Sequence, residues 1–341
     1  MQAIVKSKPE KGIWLKDVPE PGALKADHVR VKVSHAGICG TDLHIYKWDD
    51  WSKNRVNPPV VLGHEFMGTV AEVGEHVQSV KKGQRVSAES HIICNTCRYC
   101  RTGLGHLCEN TQIIGVDIDG AFRPYIDVPA QNIWPVHNDI PDHHAAIFDP
   151  VGNAMHTVMA TPIAGKDVLV TGAGAIGLIA IAIARTFGAH RIFVMEPVAD
   201  KRKLAEKLGA DVAFDPVDAA AVKNITNSGD RPQILLEMSG HPAAINSGLD
   251  ILCNGGDAVM LGIPAKDIPF DLAKRLIFKG IKMQGIIGRK IFETWYQMEA
   301  FMRTNPKAMD TIISDIMAPK DIQKAFDKME AGQANKVVLK F

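Results

Sequence analysis

VLVTGAGAIG, residues 168–177, is the stretch of this 341-residue chain that decides its fold. An apolar strand is predicted over Asp167–Thr171, and the glycine turn that follows opens an apolar helix. In this strand–turn–helix context, Gly172 allows the turn, Gly174 lets a pyrophosphate approach the backbone, and Gly177 lets helix and strand pack closely. The free N–H groups at the start of the helix then favour an anion. The stretch therefore predicts a dinucleotide-binding unit.

Strands and helices alternate outward from this turn, which indicates a parallel sheet covered on both faces. The pattern predicts helices over Ile176–Phe187 and Lys201–Lys207 and strands over Arg191–Met195, Gln233–Leu236 and Asp257–Leu261. Short alternating segments such as Val29–Ser34 and Gly68–Val73 predict mostly β-structure before residue 150. Mixed structure returns at the end, with helices over Phe292–Met302 and Lys320–Glu330 and a strand over Lys336–Phe341. We therefore predict an α/β protein in which a unit over 150–290 is inserted between 1–149 and 291–341.

Glu196 ends the second predicted strand of this unit, 19 residues after Gly177. An acidic side chain at this place accepts hydrogen bonds from the adenosine ribose and repels a 2′-phosphate, which favours NAD over NADP. The nearby cations Lys201 and Arg202 partly offset that preference.

Four of the six cysteines form the pattern C-x2-C-x2-C-x7-C. They are Cys94, Cys97, Cys100 and Cys108. Four thiolates within fifteen residues suit tetrahedral zinc, and an iron–sulfur cluster is the competing interpretation. The polar loop around them favours a structural zinc lobe over about residues 90–110, without an open position for chemistry.

A second possible metal site combines Cys39, in a turn bracketed by glycines, with the pair His64 and Glu65. A catalytic zinc takes three protein ligands and leaves one position for water or substrate, which a thiolate, an imidazole and a carboxylate would provide. We expect the adjacent His143 and His144 to lie in a solvated loop.

The composition excludes several classes of protein. Lys and Arg number 39 and Asp and Glu 38, so the net charge of +1 gives no reason to expect nucleic acid as a partner. The longest apolar run, Ala175–Ala184, has ten residues and is about half of a membrane span. The segment Met1–Lys6 lacks the pattern of a signal peptide, and we therefore expect a cytoplasmic protein with reduced thiols and no membrane association.

The two cysteine-containing sites and the dinucleotide turn, in this order, resemble the zinc-dependent medium-chain dehydrogenases of the alcohol dehydrogenase family. The segment Gly63-His64-Glu65-x2-Gly68-x5-Gly74-x2-Val77 matches that family's zinc signature. The resemblance implies a GroES-like, mostly-β catalytic domain and a Rossmann doubly wound parallel-sheet NAD-binding domain. It also implies a homotetramer. Where the family often has a second zinc-binding cysteine, this chain has Asp149, so that either Asp149 or Glu65 completes the catalytic ligand set.

Four further segments resemble members of the family that oxidise the 3-hydroxyl of L-threonine with NAD: Gly12–Trp14, His44–Trp51, Ala146–Ala154 and Phe292–Tyr296. This resemblance predicts L-threonine as the small-molecule substrate. A polyol, sugar or butanediol dehydrogenase is the alternative within the same class. A non-catalytic protein that binds zinc and a nucleotide is the alternative from another class.

The resemblance also assigns roles to single residues. Thr41 and His44 follow the Cys39 ligand by two and five residues and would pass the substrate proton to water. The adenosine end of NAD would contact Ile176, Glu196 and Lys201. The nicotinamide half would lie beside Leu261, Gly262, Ile263, Ile286 and Ile287.

Overall fold

The computed structural model describes residues 1–227, 229, 231–264 and 266–341, and these residues form two compact units. The split unit combines Met1–Pro150 with Lys290–Phe341, and the central unit is Val151–Arg289. Each boundary lies one residue from the boundary that the sequence predicts.

The elements of the N-terminal part of the chain are mostly short strands. They are β1 (Gln2–Lys6), β2 (Trp14–Asp17), β3 (His28–Gly37), α1 (Gly40–Lys47), α2 (Asp50–Arg55), β4 (Val60–Val61), β5 (Glu65–Val73), β6 (Arg85–Ala88), β7 (His91–Ile92), α3 (Arg98–Arg101), β8 (Gln112–Ile113), β9 (Tyr125–Pro129), β10 (Ile133–Pro135), α4 (Asp142–Ala145) and α5 (Phe148–Val158). Single helical turns at Gly105–Leu107 and Ala130–Asn132 connect some of them.

The central unit alternates strands and helices. Its elements are β11 (Val168–Thr171), α6 (Ala175–Thr186), β12 (Ile192–Met195), α7 (Ala199–Lys207), β13 (Val212–Phe214), α8 (Ala219–Asn227), β14 (Ile234–Glu237), α9 (Pro242–Ile251), β15 (Asp257–Met260), a short helical segment Ala273–Ile277 and β16 (Lys282–Gly285). The predicted helices and strands of this unit are present, with ends that move by one or two residues.

The C-terminal part returns to the split unit. It contains α10 (Glu293–Thr304), α11 (Pro306–Ile312), β17 (Ile313–Met317), a turn at Pro319–Asp321, α12 (Ile322–Glu330) and β18 (Lys336–Lys340). The sequence patterns did not predict α11 and β17, because their sequences PKAMDTI and ISDIM show neither a clear helical period nor a strict alternation of apolar and polar residues.

The main sheet of the split unit has the strand order β10-β6-β5-β3-β18-β17, and β9 also pairs with β3. Along β3 the buried valines Val29, Val31 and Val33 alternate with more exposed residues, so that one face covers the core. Strand β18 pairs antiparallel with β3 and therefore completes the sheet with residues from the far end of the chain.

The sheet of the central unit is parallel throughout, in the order β13-β12-β11-β14-β15-β16. Its inner strands β11, β12 and β14 are fully buried, which matches their continuous apolar sequences. Numbered within the unit, this is the order 3-2-1-4-5-6 of a Rossmann fold, whose ligands bind where the strand order reverses. Every helix in the described part of the chain is too short or too polar to cross a bilayer.

Candidate active site

Cys39, His64 and Glu65 lie together in the split unit, and one potential ligand atom from each is within 4.8 Å of the others. Cys39 precedes α1, and His64 and Glu65 stand at the start of β5. The pairing of β3 with β5 sets Gly37 opposite Glu65 and so joins the two segments. His64 and Glu65 are buried, at 5% and 2% exposure. The residues predicted for a catalytic metal therefore converge in a protected place.

Glu65 has a buried cationic partner, Lys336, from the start of β18. The Lys336 Nζ donates to Glu65 Oε1 at 2.6 Å and to the Ile38 carbonyl oxygen at 2.8 Å. Burial acts to lower the pKa of Lys336, but the anionic groups Glu65 and Cys39 outweigh burial and raise it. A Cβ on Gly37 would stand 2.1 Å from Glu65 Oε2, so only glycine leaves room for this carboxylate. Lys336 is 271 residues from Glu65, and local sequence reasoning gave no signal for it.

Asp42 is a fully buried carboxylate beside this cluster that the sequence analysis did not single out. Its Oδ2 accepts the Cys39 backbone N–H at 2.9 Å, and its Oδ1 lies 3.9 Å from His64 Nδ1. Burial acts to lower the pKa of His64, but Cys39, Asp42 and Asp149 raise it to about 10.

Several anionic groups thus surround one buried imidazole, and the His64 Nδ1 and Asp42 Oδ1 atoms have no hydrogen-bond partner among the described residues. A thiolate, an imidazole and a carboxylate of this kind fit a divalent metal such as zinc, which would take the place of the proton on the imidazole. Asp42 is a buried carboxylate 3.9 Å from the ring, and carboxylates in this position commonly support metal-binding histidines.

Asp149, the other candidate ligand, lies near the start of α5 and is 5% exposed. The Ser90 hydroxyl donates to its Oδ2 at 2.7 Å. Asp149 is close enough for its charge to raise the pKa of His64. The carboxylate within 4.8 Å of the Cys39 and His64 ligand atoms is, however, that of Glu65. Sequence reasoning did not identify Ser90.

The two residues predicted for proton transfer lie on α1. The Thr41 Oγ1 is 3.6 Å from the Cys39 Sγ, which places the hydroxyl beside the three potential metal ligands. His44 is 44% exposed, and its Nδ1 pairs with the Asp49 carboxylate, which also accepts the Ser52 backbone N–H at the start of α2. Asp49, which the sequence analysis did not single out, orients the ring of His44.

The four cysteines of the predicted zinc lobe also come together, with their sulfur atoms within 4.8 Å of one another. Cys97 and Cys100 lie before and within α3, the turn Gly105–Leu107 leads to Cys108, and the pairing of β7 with β8 closes the lobe. The backbone N–H of Cys97 donates to the Cys94 Sγ at 3.3 Å. Four sulfurs bound to one zinc at about 2.3 Å would lie roughly 3.8 Å apart, so only small shifts are needed.

The charges of these thiols also favour a cation. Hydrogen bonds from Thr96 and Asn110 lower the pKa of Cys94 to about 5. Burial and the neighbouring thiols raise the pKa of Cys100 to about 12. Four thiolates held this close together repel one another, and a structural zinc would balance their charge.

The glycine turn after β11 has the geometry that the sequence predicts. Gly172 has a φ of +86°, and a Cβ on Gly177 would stand 2.0 Å from the Gly172 carbonyl oxygen. Gly174 precedes α6, and a Cβ built on it meets no atom within 4 Å. The open space in front of the helix leaves room for a pyrophosphate beside free backbone N–H groups.

Glu196 follows β12 next to this turn and is 5% exposed. Its Oε2 accepts the Ala173 backbone N–H at 2.7 Å, and its Oε1 accepts the Val198 N–H at 2.9 Å. The carboxylate is therefore fixed against the turn. Ile176 lies in the first turn of α6 and Lys201 lies in α7, both half-buried.

The residues predicted near the nicotinamide follow neighbouring strands. Leu261, Gly262 and Ile263 follow β15, and Ile286 and Ile287 follow β16, at the carboxyl edge where Rossmann ligands bind. Ile263 and Ile287 are 68% and 55% exposed. The buried Glu237, which sequence reasoning missed, ends β14. Its backbone carbonyl oxygen accepts the N–H groups of Leu261 and Gly262 at 3.0 and 3.1 Å.

The expectation of a solvated loop at His143 and His144 is wrong. Both residues lie in helix α4, and His144 is 2% exposed because the short helix packs its ring inward. These two histidines and Asp310 form a third group with closely spaced ligand atoms.

Two family models match this chain. The alcohol dehydrogenase GroES-like domain matches residues 25–138, and the zinc-binding dehydrogenase domain matches residues 175–304. The chain belongs to the zinc-dependent medium-chain dehydrogenase family. The predicted combination of a GroES-like and a Rossmann domain is confirmed, and the protein is a dehydrogenase.

Individual relatives of this medium-chain dehydrogenase cover the whole chain. The L-threonine 3-dehydrogenases of Caldanaerobacter subterraneus subsp. tengcongensis and Thermococcus kodakarensis are 43% and 42% identical over 99% of it, and the match covers 98% and 97% of those proteins. A putative zinc-binding dehydrogenase from Sinorhizobium meliloti, solved with NADP bound, matches with a TM-score of 0.88 at 27% identity, over 100% of this chain and 99% of that one. Membership of this family therefore supports zinc and a nicotinamide dinucleotide as the bound groups.

Proposed function

We propose that the protein oxidises L-threonine at its 3-hydroxyl with NAD⁺ and forms 2-amino-3-oxobutyrate, NADH and a proton. The observation that carries the proposal is the cluster of the partly buried Cys39 with the buried His64 and Glu65, and the Thr41 hydroxyl beside it. Identity of 43% over the full length to an L-threonine 3-dehydrogenase supports this substrate over a polyol, a sugar or butanediol.

Two groups would be bound for this reaction. Zinc supplies a Lewis acid that lowers the pKa of the substrate hydroxyl, and NAD⁺ accepts the hydride. Cys39, His64 and Glu65 would hold the catalytic zinc, with Asp149 as a neighbouring carboxylate. Lys336 would keep Glu65 in position through the contact at 2.6 Å.

Proton removal would use the residues of α1. The Thr41 hydroxyl accepts the proton of the substrate hydroxyl and passes its own to His44, from which it reaches water. The 44% exposure of His44 and the pairing of its Nδ1 with Asp49 support this role, because the other ring nitrogen can then exchange protons.

Cofactor binding would use the carboxyl edge of the central sheet. The pyrophosphate would lie against the glycine turn of Gly172, Gly174 and Gly177. The adenosine end would contact Glu196, Ile176 and Lys201. Leu261–Ile263 and Ile286–Ile287 would contact the nicotinamide half. A carboxylate at position 196 favours NAD over NADP because a 2′-phosphate would be repelled.

A second zinc would be structural. Cys94, Cys97, Cys100 and Cys108 supply four sulfurs and leave no ligand position for substrate. We therefore propose two zinc ions per chain, both in the split unit, and assign cofactor binding to the central unit.

The assembly is proposed to be a homotetramer in the cytoplasm, where the four thiols of the zinc lobe stay reduced. Strand β16 at the edge of the central sheet supports an association of subunits, because all four of its residues are exposed. Met283 of this strand and the preceding Ile277 and Phe278 expose 41%, 60% and 80% of their surface.

The decisive measurement is NAD⁺ reduction with L-threonine, 2,3-butanediol, sorbitol and ethanol in parallel. L-Threonine should give the highest kcat/KM. A higher value for butanediol or sorbitol would assign the enzyme to the alternative dehydrogenases. Absence of turnover with all four, in a protein that retains zinc and binds NAD, would favour the non-catalytic interpretation.

A further inference from the structure

His143, His144 and Asp310 form a cluster that shares no residue with the two proposed zinc sites. The His144 Nε2 lies 2.7 Å from Asp310 Oδ1, and the His143 Nε2 lies 3.8 Å from the same oxygen. The two imidazole rings are 4.3 Å apart between centroids, at an angle of 66°. The potential ligand atoms of two imidazoles and one carboxylate thus lie within 4.8 Å of one another.

Burial divides the cluster into an inner and an outer part. His144 is 2% exposed, whereas the side chains of His143 and Asp310 are 31% and 60% exposed. An ion could therefore enter from solvent and still be held by one fixed imidazole.

We propose that His143, His144 and Asp310 bind a divalent transition-metal ion of the zinc class. Ligand atoms at about 2.0–2.1 Å from one zinc are roughly 3.3 Å apart in tetrahedral geometry. The observed separations of 2.7 and 3.8 Å lie on either side of that value, so small side-chain rotations form the site. Two nitrogen donors and one oxygen donor suit zinc and its neighbours in the periodic table better than calcium or magnesium.

The charges next to the cluster are already engaged. His35 Nδ1 lies 3.9 Å from Asp142 Oδ2, and Asp142 is bound by Arg85 at 2.6 Å. Asp310 is therefore the carboxylate available to the two histidines.

The proposed ion would join distant parts of the split unit. His144 lies on α4 and Asp310 on α11, 166 residues further along the chain. A cross-link over so long a segment stabilises the folded state, because an ion that binds only the folded protein shifts the equilibrium away from the unfolded chain.

The competing explanation for this cluster is a simple hydrogen bond between α4 and α11. The role of His143 distinguishes that explanation from a metal site. That hydrogen bond uses His144 and Asp310 alone. A metal site also needs His143, whose nitrogen is 3.8 Å from the carboxylate and too far for a hydrogen bond.

The test is calorimetric titration of the zinc-containing enzyme with Zn²⁺ after dialysis against a weak chelator. The wild type should bind one further equivalent. H143A and D310N should weaken that binding at least about tenfold while each retains the zinc already bound. Added Zn²⁺ should also raise the Tm of the wild type but not of H143A.

H137A is the matched control, because His137 is a half-exposed histidine 3.2 Å from Asp139 that belongs to none of the ligand groups among the described residues. Its affinity for the further equivalent should equal that of the wild type. No further equivalent in the wild type, or equal affinity in H143A and wild type, would overturn the proposal. H143A alters a partly exposed side chain and therefore remains informative if D310N does not fold.

Discussion

The two proposed zinc sites of the split unit are built in opposite ways. The four-cysteine site comes from residues 94–108, and its ligands lie on one loop with a short helix. The site of Cys39, His64 and Glu65 draws its ligands from two segments and its supporting cation, Lys336, from the end of the chain. One site is local and the other depends on the sheet formed by β3, β5 and β18.

The two sites also differ in the ligand atoms that they offer to a metal. Four thiolates complete a tetrahedron, so the local site has no ligand position left for a reacting molecule. One thiolate, one imidazole and one carboxylate leave a fourth position open. The comparison indicates that a short loop suffices to build a structural site, whereas a catalytic site needs a rigid scaffold that orients each group.

C39S should have the largest effect. Loss of a ligand at the open site should lower kcat with L-threonine by about 10⁴-fold or more, because hydroxyl activation by the metal is lost. Zinc content should fall by one equivalent and Tm should change little. C253S, which alters a cysteine outside both sites, should match the wild type in all three measurements. A C39S enzyme with normal turnover would break the distinction between the sites.

C97S should act on stability. Removing one ligand of the closed site should lower the free energy of unfolding by about 4 kcal/mol or more, since structural metal contributes directly to folding. The measurement is denaturant unfolding together with zinc analysis. Any C97S protein that remains folded should retain appreciable kcat. A variant that loses turnover without losing stability would contradict the assignment.

H44A should leave both metal sites intact and lower kcat by about 10²–10⁴-fold, because proton transfer is removed. T41A should behave similarly, and the double variant should be little worse than either one, since the two residues act in sequence. T41S retains a hydroxyl and should keep substantial activity. Nearly wild-type kcat for H44A between about pH 6 and 9 would exclude the relay.

E196A should have the smallest effect and sharpen the comparison by altering neither zinc site. The variant should raise KM for NAD about tenfold and improve the use of NADP relative to NAD. KM values for both cofactors provide the measurement, with zinc content as the control. If the wild type used NADP as efficiently as NAD, the role of Glu196 would be wrong.

The sequence predicted the parts of this molecule that depend on local patterns. These parts are the glycine turn at Gly172, the alternation of strands and helices around it and the zinc lobe of four cysteines. In each of them, residues close together in the sequence determine the local structure. The site of Cys39, His64 and Glu65 was predicted from its ligand types, but the sequence gave no geometric reason for Cys39 to meet His64, because their contact depends on strand pairing.

The supporting residues lay beyond sequence reasoning. Asp42, Asp49 and Ser90 are ordinary polar residues until the fold brings them against His64, His44 and Asp149. The sequences of α11 and β17 show no clear helical period or strict alternation, and the His143–His144 pair gave no sign of burial. Such features arise from tertiary contacts.

The position of β18 between β3 and β17 has a consequence for biosynthesis. On the ribosome the continuous segment Val151–Arg289 is complete before the split unit, whose strands β17 and β18 are made later. Strand β3 can pair with β5 and β9 early, but its partner β18 and the cation of Glu65 arrive only when residues 336–340 are made. Until then the edge of β3 at residues 35–37 lacks the strand that covers it in the folded protein, and the buried carboxylate of Glu65 lacks its cation.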